Sequence, residues 1–237
     1  MQDRSTMPPP LSDGSGVTDA VRVQILATEH WSLLATRGAT WNEMFARASM
    51  YLTVLSAATV ALALVAQATS FGGGFRLFAL LVLPVVLVLG VGTQIRLGDA
   101  RGEDVWLVMG MNRLRHAYLE LAPELEPYFM TARHDDIAGV MQTYMVEMLG
   151  TEGRGARVTP GRILASTPVL VGLINAAVAG VLAALVAGAL GGATAMSVAA
   201  GIAAGLAYAV LLAAIPLREI ARIQREWRPR FPGPGGQ

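Results

Sequence analysis

Two stretches of the chain are almost free of charge. Ala48 to Ile95 holds a single charged residue, Arg76, and Ile163 to Leu217 holds none. A bilayer core of about 30 Å takes roughly 20 apolar residues of helix rising about 1.5 Å each, so each stretch is long enough for two crossings. The first breaks at Phe71-Gly72-Gly73-Gly74-Phe75, where three glycines disfavour helix and Arg76 is cheap only at an interface. The second breaks at Gly188 to Thr194, around Gly191-Gly192. Spans are expected at residues 48–70, 77–95, 163–187 and 195–217. The fold class expected is all-α: a polytopic integral membrane protein of two transmembrane hairpins, with a cytoplasmic helical insert and an N-terminal helix.

The remaining segments are patterned differently. Residues 1–16 carry Pro8-Pro9-Pro10 among Asp, Ser and Gly and read as disordered, as does the Pro- and Gly-bearing tail from Pro229 to Gln237. In 17–47, Val21, Ile25, Thr28 and Ser32, with Val17 and Leu33 alongside, share one helical stripe, which predicts a helix packed on other helices or lying on the membrane. A second helix is expected to start at Thr40, which has capping-box spacing to Glu43, with Trp41 at the headgroup level. In the insert, 96–162, Leu107, Met111, Leu114, Tyr118 and Leu121 form a stripe closed by Pro123, with Asp104 on another face. A further helix opens at Asp135 or Asp136 and ends near Gly150. Residues 163–217 form the second hairpin, Pro216 ends the fourth span, and 218–237 is a basic tail.

Charge sets the orientation. Arg37 and Arg47 precede the first span, Arg96 and Arg101 follow the second, Arg154, Arg157 and Arg162 precede the third, and five arginines between Arg218 and Arg230 follow the fourth. Positive residues favour the cytoplasmic side, so both termini are expected there, with no cleaved signal peptide at the polar N-terminus. Of 237 residues, 54% are hydrophobic and 15% charged; all 18 basic residues are arginine and none is lysine. That usage, with abundant Ala, Gly and Val, points to a bacterial plasma membrane. A net charge of +1 gives no field that would draw nucleic acid, and the absence of cysteine excludes disulfides, thiolate nucleophiles and sulfur-ligated metals.

Candidate chemistry is sparse. No phosphate loop, zincin pair, nucleophile elbow or dinucleotide fingerprint is present, so neither a cofactor nor a metal nor a catalytic residue is assigned, and nothing argues for an enzyme. His116 and Glu120 are read as an i,i+4 side-chain pair, and His134-Asp135-Asp136 as helix-capping carboxylates beside a histidine. Within the spans, Ser49, Thr53, Ser56 and Gln67 fall near one face and, with Asn175, are the candidate polar path. Gly172, Gly180 and Gly188 recur every eighth residue with alanines between, and Gly201 and Gly205 lie on a matching ridge. Such small-xxx-small ridges let helices approach closely, within the chain or between copies.

The layout of paired spans around a cytoplasmic helical segment, preceded by the tract from Val23 to Trp31, resembles that of uncharacterised bacterial multi-span proteins. It is also loosely similar to small membrane effector modules of nucleotide-signalled defence systems. That resemblance implies an oligomeric pore and carries over no residue. The expectation is a non-enzymatic oligomeric membrane scaffold or interaction protein, whose partners are the bilayer, copies of itself and a cytoplasmic protein. The alternative is a passive channel or facilitator for a small ion or solute.

Overall fold

The computed structural model describes residues 17–149 and 166–233, and among them all regular structure is helical. In chain order these are α1 (Asp19–Thr69), α2 (Gly73–Leu121), a 3-10 turn (Pro123–Tyr128), α3 (Ile137–Leu149), α4 (Thr167–Ala189) and α5 (Thr194–Glu226). Four of them, α1, α2, α4 and α5, are long and apolar enough to cross a membrane. The expected disorder of residues 1–16 lies outside the described residues.

Several boundaries differ from those the sequence pattern predicts. α1 runs unbroken for 51 residues, so no helix starts at Thr40. No proline lies between Val17 and Ser70, and the one glycine before the apolar stretch, Gly38, costs only about 1 kcal/mol inside a helix. Thr40 is buried in mid-helix, and Glu43 accepts from Arg47 and Arg96 in place of a capping role. α2 is likewise continuous for 49 residues and contains Pro84. It stops at Pro123, whose ring pushes Ala122 out of the helical region to φ −145°. α5 passes through Pro216 and ends at Glu226.

The chain divides into two compact units: a polar one drawn from Met1–Trp41, Arg101–Arg157 and Arg222–Gln237, and an apolar one from Asn42–Ala100 and Val158–Ala221. In the apolar unit, α1 contributes Met44, Ala48 and Tyr51, followed by Leu55, Ala58 and Leu62. α2 contributes Ala79, Leu83, Val86 and Leu97. With the buried Gly90 and Thr93 between Val86 and Leu97, both sets advance by alternating three and four residues, the spacing of helices that pack at a shallow left-handed angle. The turn between them is made by Ser70 and Phe71, at φ 47° and 59°. The glycines expected to break this helix start α2 instead, and Gly72 alone sits in the turn. A Cβ there would lie 2.9 Å from the Thr69 carbonyl oxygen. The turn between α4 and α5 holds Gly191 at φ +84°, a conformation that glycine adopts without steric cost.

The polar unit is built on Val108, Met109, Met111 and Val140, with Leu33, Val105, Tyr144 and Trp227 packed around them. The predicted stripe of the N-terminal helix divides: Leu33 packs inward, against Gly110, while Val17, Val21, Ile25, Thr28 and Ser32 are exposed.

Candidate functional site

The most buried polar side chain of the apolar unit is Asn175 on α4, with no exposure. Tyr51 on α1 donates its hydroxyl to Asn175 Oδ1 at 2.6 Å, and Asn175 Nδ2 donates to the Tyr208 hydroxyl of α5 at 3.2 Å. α2 makes room for this junction with Gly90. A Cβ at Gly90 would overlap Asn175 Oδ1 and come within 2.9 Å of the Tyr51 ring. All four long helices therefore meet at one amide. Sequence reasoning singled out Asn175 and missed Tyr51, Gly90 and Tyr208. No local signal marks these three, because their spacing along the chain is unrelated to their contact.

The small-residue ridges face each other within the chain. A Cβ on Gly180 would lie 2.9 Å from the Gly201 carbonyl oxygen, one on Gly201 2.8 Å from that of Gly180, and one on Gly205 3.1 Å from that of Ala176. Gly172 accommodates the Leu212 side chain, and Gly188 faces Ser197 at its edge. These glycines are engaged by α4 and α5 themselves.

Ser49, Thr53, Ser56 and Gln67 are not brought to Asn175. All four are exposed on the outer face of α1. Thr53 and Ser56 donate their hydroxyls to the carbonyls of Ser49 and Leu52, so their protons are used locally and their lone pairs remain outward. They belong to a longer series in the apolar unit: Asn42, Ala46, Ser49, Thr53, Ser56, Val60, Ala63 and Gln67, alternating four and three residues, every one exposed. Exposed positions on α2 include the large aliphatics Leu81, Val85 and Val88, while those on α5 mix Ile202, Leu206 and Val210 with Ala199, Ala203 and Ala207. The polar unit's part of α1 continues the spacing with Val21, Ile25, Thr28, Ser32, Ala35 and Ala39, also all exposed and none charged.

In the polar unit two carboxylates act as hubs. Asp104, read from sequence as lying off the buried face, is 3% exposed. Arg37 Nε donates to it at 2.6 Å, Tyr144 Oη at 2.6 Å and Trp41 Nε1 at 3.1 Å. Asp135, with no exposure, accepts from Arg113 Nε at 2.7 Å and from the backbone N–H groups of Arg230 and Phe231 at 3.1 and 2.8 Å. Asp136 accepts from the Gly139 N–H, capping α3, and from the Gly233 N–H, both at 2.7 Å. The tail expected to be disordered is thus held as far as Gly233, while residues 234–237 lie outside the described part. Between these centres, Asn112 donates to the His134 carbonyl and accepts from Thr143 and Arg115.

The histidines adjoin this tail. His116 Nε2 lies 3.5 Å from Glu120 Oε1, and its ring stacks on Phe231 with centroids 4.1 Å apart. Burial holds the His116 pKa below its usual value. Arg133 and His134 add to this and Glu120 opposes it. His30 stacks on Tyr118, and burial lowers its pKa too. A cavity of about 380 Å³ opens beside this region, lined by Leu119, Phe129, Met130, Arg133, His134 and Gln142 among others. In the apolar unit, Arg96 and Arg47 hold the Glu43 carboxyl at a pKa of about 2. Among the described residues no group of three or more His, Cys, Asp or Glu is placed to hold a metal ion. No protein-family model, curated protein or solved structure matches this chain.

Proposed function

We propose that this is a non-enzymatic membrane scaffold whose copies assemble along α1, with four spans in a bacterial plasma membrane and both termini in the cytoplasm. One observation carries the assembly: an exposed stripe of α1 repeats every three and four residues and is built mainly of Ala, Ser and Thr, flanked by exposed large residues such as Phe45, Met50 and Leu64. Where lipid supplies no hydrophobic drive between helices, small side chains permit close backbone contact, and hydroxyls and amides bond across the interface. The alternating spacing is that of a left-handed helix pair. The outer face of α2, by contrast, carries the large aliphatics Leu81, Val85 and Val88. The part of the face in the polar unit is equally telling, since a helix side in water is ordinarily rich in charge. Membrane embedding is supported by the four apolar helices, and orientation by the arginines at the span ends.

The chain has no cysteine, so single-cysteine variants report the interface directly. Ser56→Cys and Ala63→Cys should form disulfide-linked dimers in oxidised membranes, while Val88→Cys on α2 and Ile202→Cys on α5 should not. Equal cross-linking at all four positions, or none at Ser56 and Ala63, would sink the assembly along α1.

A second reading, a passive path for a small cation, is favoured by the outward lone pairs of Thr53 and Ser56. In an assembly with an open axis these oxygens would line it. Its test is whether a cationic, water-soluble thiol reagent modifies Thr53→Cys in the assembled protein and blocks cation flux into liposomes. Liposomes that pass no cation before modification would remove this reading and leave the scaffold untouched.

A further inference from the structure

The segment Trp227–Gly233 binds the polar unit as a peptide binds a receptor. Of its seven residues, Pro229 and Pro232 have no N–H, and three of the five that do, Arg230, Phe231 and Gly233, give theirs to the Asp135 and Asp136 carboxylates. Phe231 returns its carbonyl to the Asp135 N–H at 3.3 Å. Two aromatic anchors flank these bonds. Trp227 packs edge-on to Trp106 with Arg113 over its ring at 4.7 Å and donates Nε1–H to the Asp135 carbonyl, while Phe231 stacks on His116. Main-chain capture with side-chain anchors at fixed spacing is the logic of peptide recognition.

The receiving carboxylates have partners outside the segment, although Trp227 itself packs against the polar unit's core. Arg113 on α2 holds Asp135, and the first turn of α3 holds Asp136 through Gly139, so both carboxylates stay positioned when the segment leaves. Arg228 and Arg230 are exposed, so the docked segment presents positive charge to solvent.

We propose that the Asp135–Asp136 groove is an exchangeable peptide-docking site, filled in cis by Trp227–Gly233 and open to a partner segment of the same chemistry. That chemistry is an extended, proline-spaced stretch carrying arginine and two aromatic anchors. The cis segment is then a built-in competitor that sets the threshold for the partner.

The test uses the full chain in detergent and a fluorescent synthetic peptide with the sequence of residues 226–234. Trp227→Ala/Phe231→Ala weakens the cis ligand and keeps Arg113 and the Gly139 N–H as partners of the two carboxylates. This chain should bind the peptide saturably and at least tenfold more tightly than the unaltered chain, and Asp135→Asn in the same background should reverse the gain. Binding no tighter than to the unaltered chain overturns the proposal. Should the double variant fail to fold, coexpressed His134→Cys and Gly233→Cys chains give a second reading, because a Cβ at Gly233 lies 3.4 Å from the His134 ring. Exchange predicts a disulfide between chains that excess peptide suppresses. A disulfide that closes only within a chain carrying both cysteines, and never between chains, overturns the proposal.

Discussion

Gly90→Ala opposes two well-understood effects and lets the structure decide between them. On helix propensity alone, alanine in mid-helix is about 1 kcal/mol better than glycine. At Gly90 the added methyl overlaps Asn175 Oδ1, lies 2.8 Å from Asn175 Cγ and comes within 2.9 Å of Tyr51 Cε2. The amide must swing away, which breaks the bonds to Tyr51 and Tyr208. Hydrogen bonds between membrane helices are worth about 0.6 kcal/mol on average and up to about 1.7, so their loss costs about 1–3 kcal/mol together. Repacking a tight core around an extra methyl costs about 1–3 kcal/mol more. Against the propensity gain the net is a destabilisation of about 1–5 kcal/mol, roughly a hundredfold change in the folded-to-unfolded ratio near the middle of that range. The assay is reversible unfolding in mixed micelles followed by helix content. Gly92→Ala, with nothing within 4 Å of its Cβ, serves as the control and should be neutral or slightly stabilising. Asn175→Ala should cancel most of the Gly90→Ala penalty, because it vacates the space the methyl needs. Refutation would be a Gly90→Ala chain as stable as the Gly92→Ala control, or a double variant whose two losses simply add.

Other expectations concern the polar unit and the ridge. Asp104→Asn removes the carboxylate charge to which Arg37, Tyr144 and Trp41 all donate and should cost about 1.5–3 kcal/mol, the worth of a charge-assisted hydrogen bond. Tyr144→Phe removes one donor to the same carboxylate and should cost about 1 kcal/mol, so comparable losses in chemical unfolding would contradict the hub role. Docking of the tail should weaken in mild acid. The docked His116 has a lowered pKa, so docking is fully present above the free imidazole value of about 6.5 and declines as pH falls through it toward the docked value. The near-UV signal of the Trp106–Trp227 pair would follow this, and His116→Phe, which keeps the stacking, should flatten the profile. Gly180→Leu forces a side chain against the Gly201 carbonyl and should cost at least about 2 kcal/mol of stability without preventing Ser56→Cys cross-linking. Loss of cross-linking at retained stability would move the interface to the α4 ridge.

The all-helical class and the four apolar helices were legible because they rest on composition over about twenty residues, where the spacing of Arg76 or Gly191 from its neighbours is enough. So were the cap at Asp136 and the closure of α2 by Pro123, since both act through the local backbone. Other features needed the tertiary structure, because they depend on which faces are occupied. A stripe such as Val21, Ile25, Thr28 and Ser32, with Leu33 alongside, reads identically whether it packs inward or points out, and only the fold shows that Leu33 is inward and the other four outward. The ridges of Gly180 and Gly201 predict a close helix contact without naming the partner, and the fold supplies it from the next helix. Asp135 and Phe231 stand 96 residues apart, and Tyr51 and Asn175 stand 124 apart. Pairings at that distance follow from how helices stack, which no local pattern encodes. What the chain determined by itself was where helices form and which of them avoid water. The packing of those helices decided that one polar stripe was left outside, that one amide joined four helices and that a tail expected to be loose was bound.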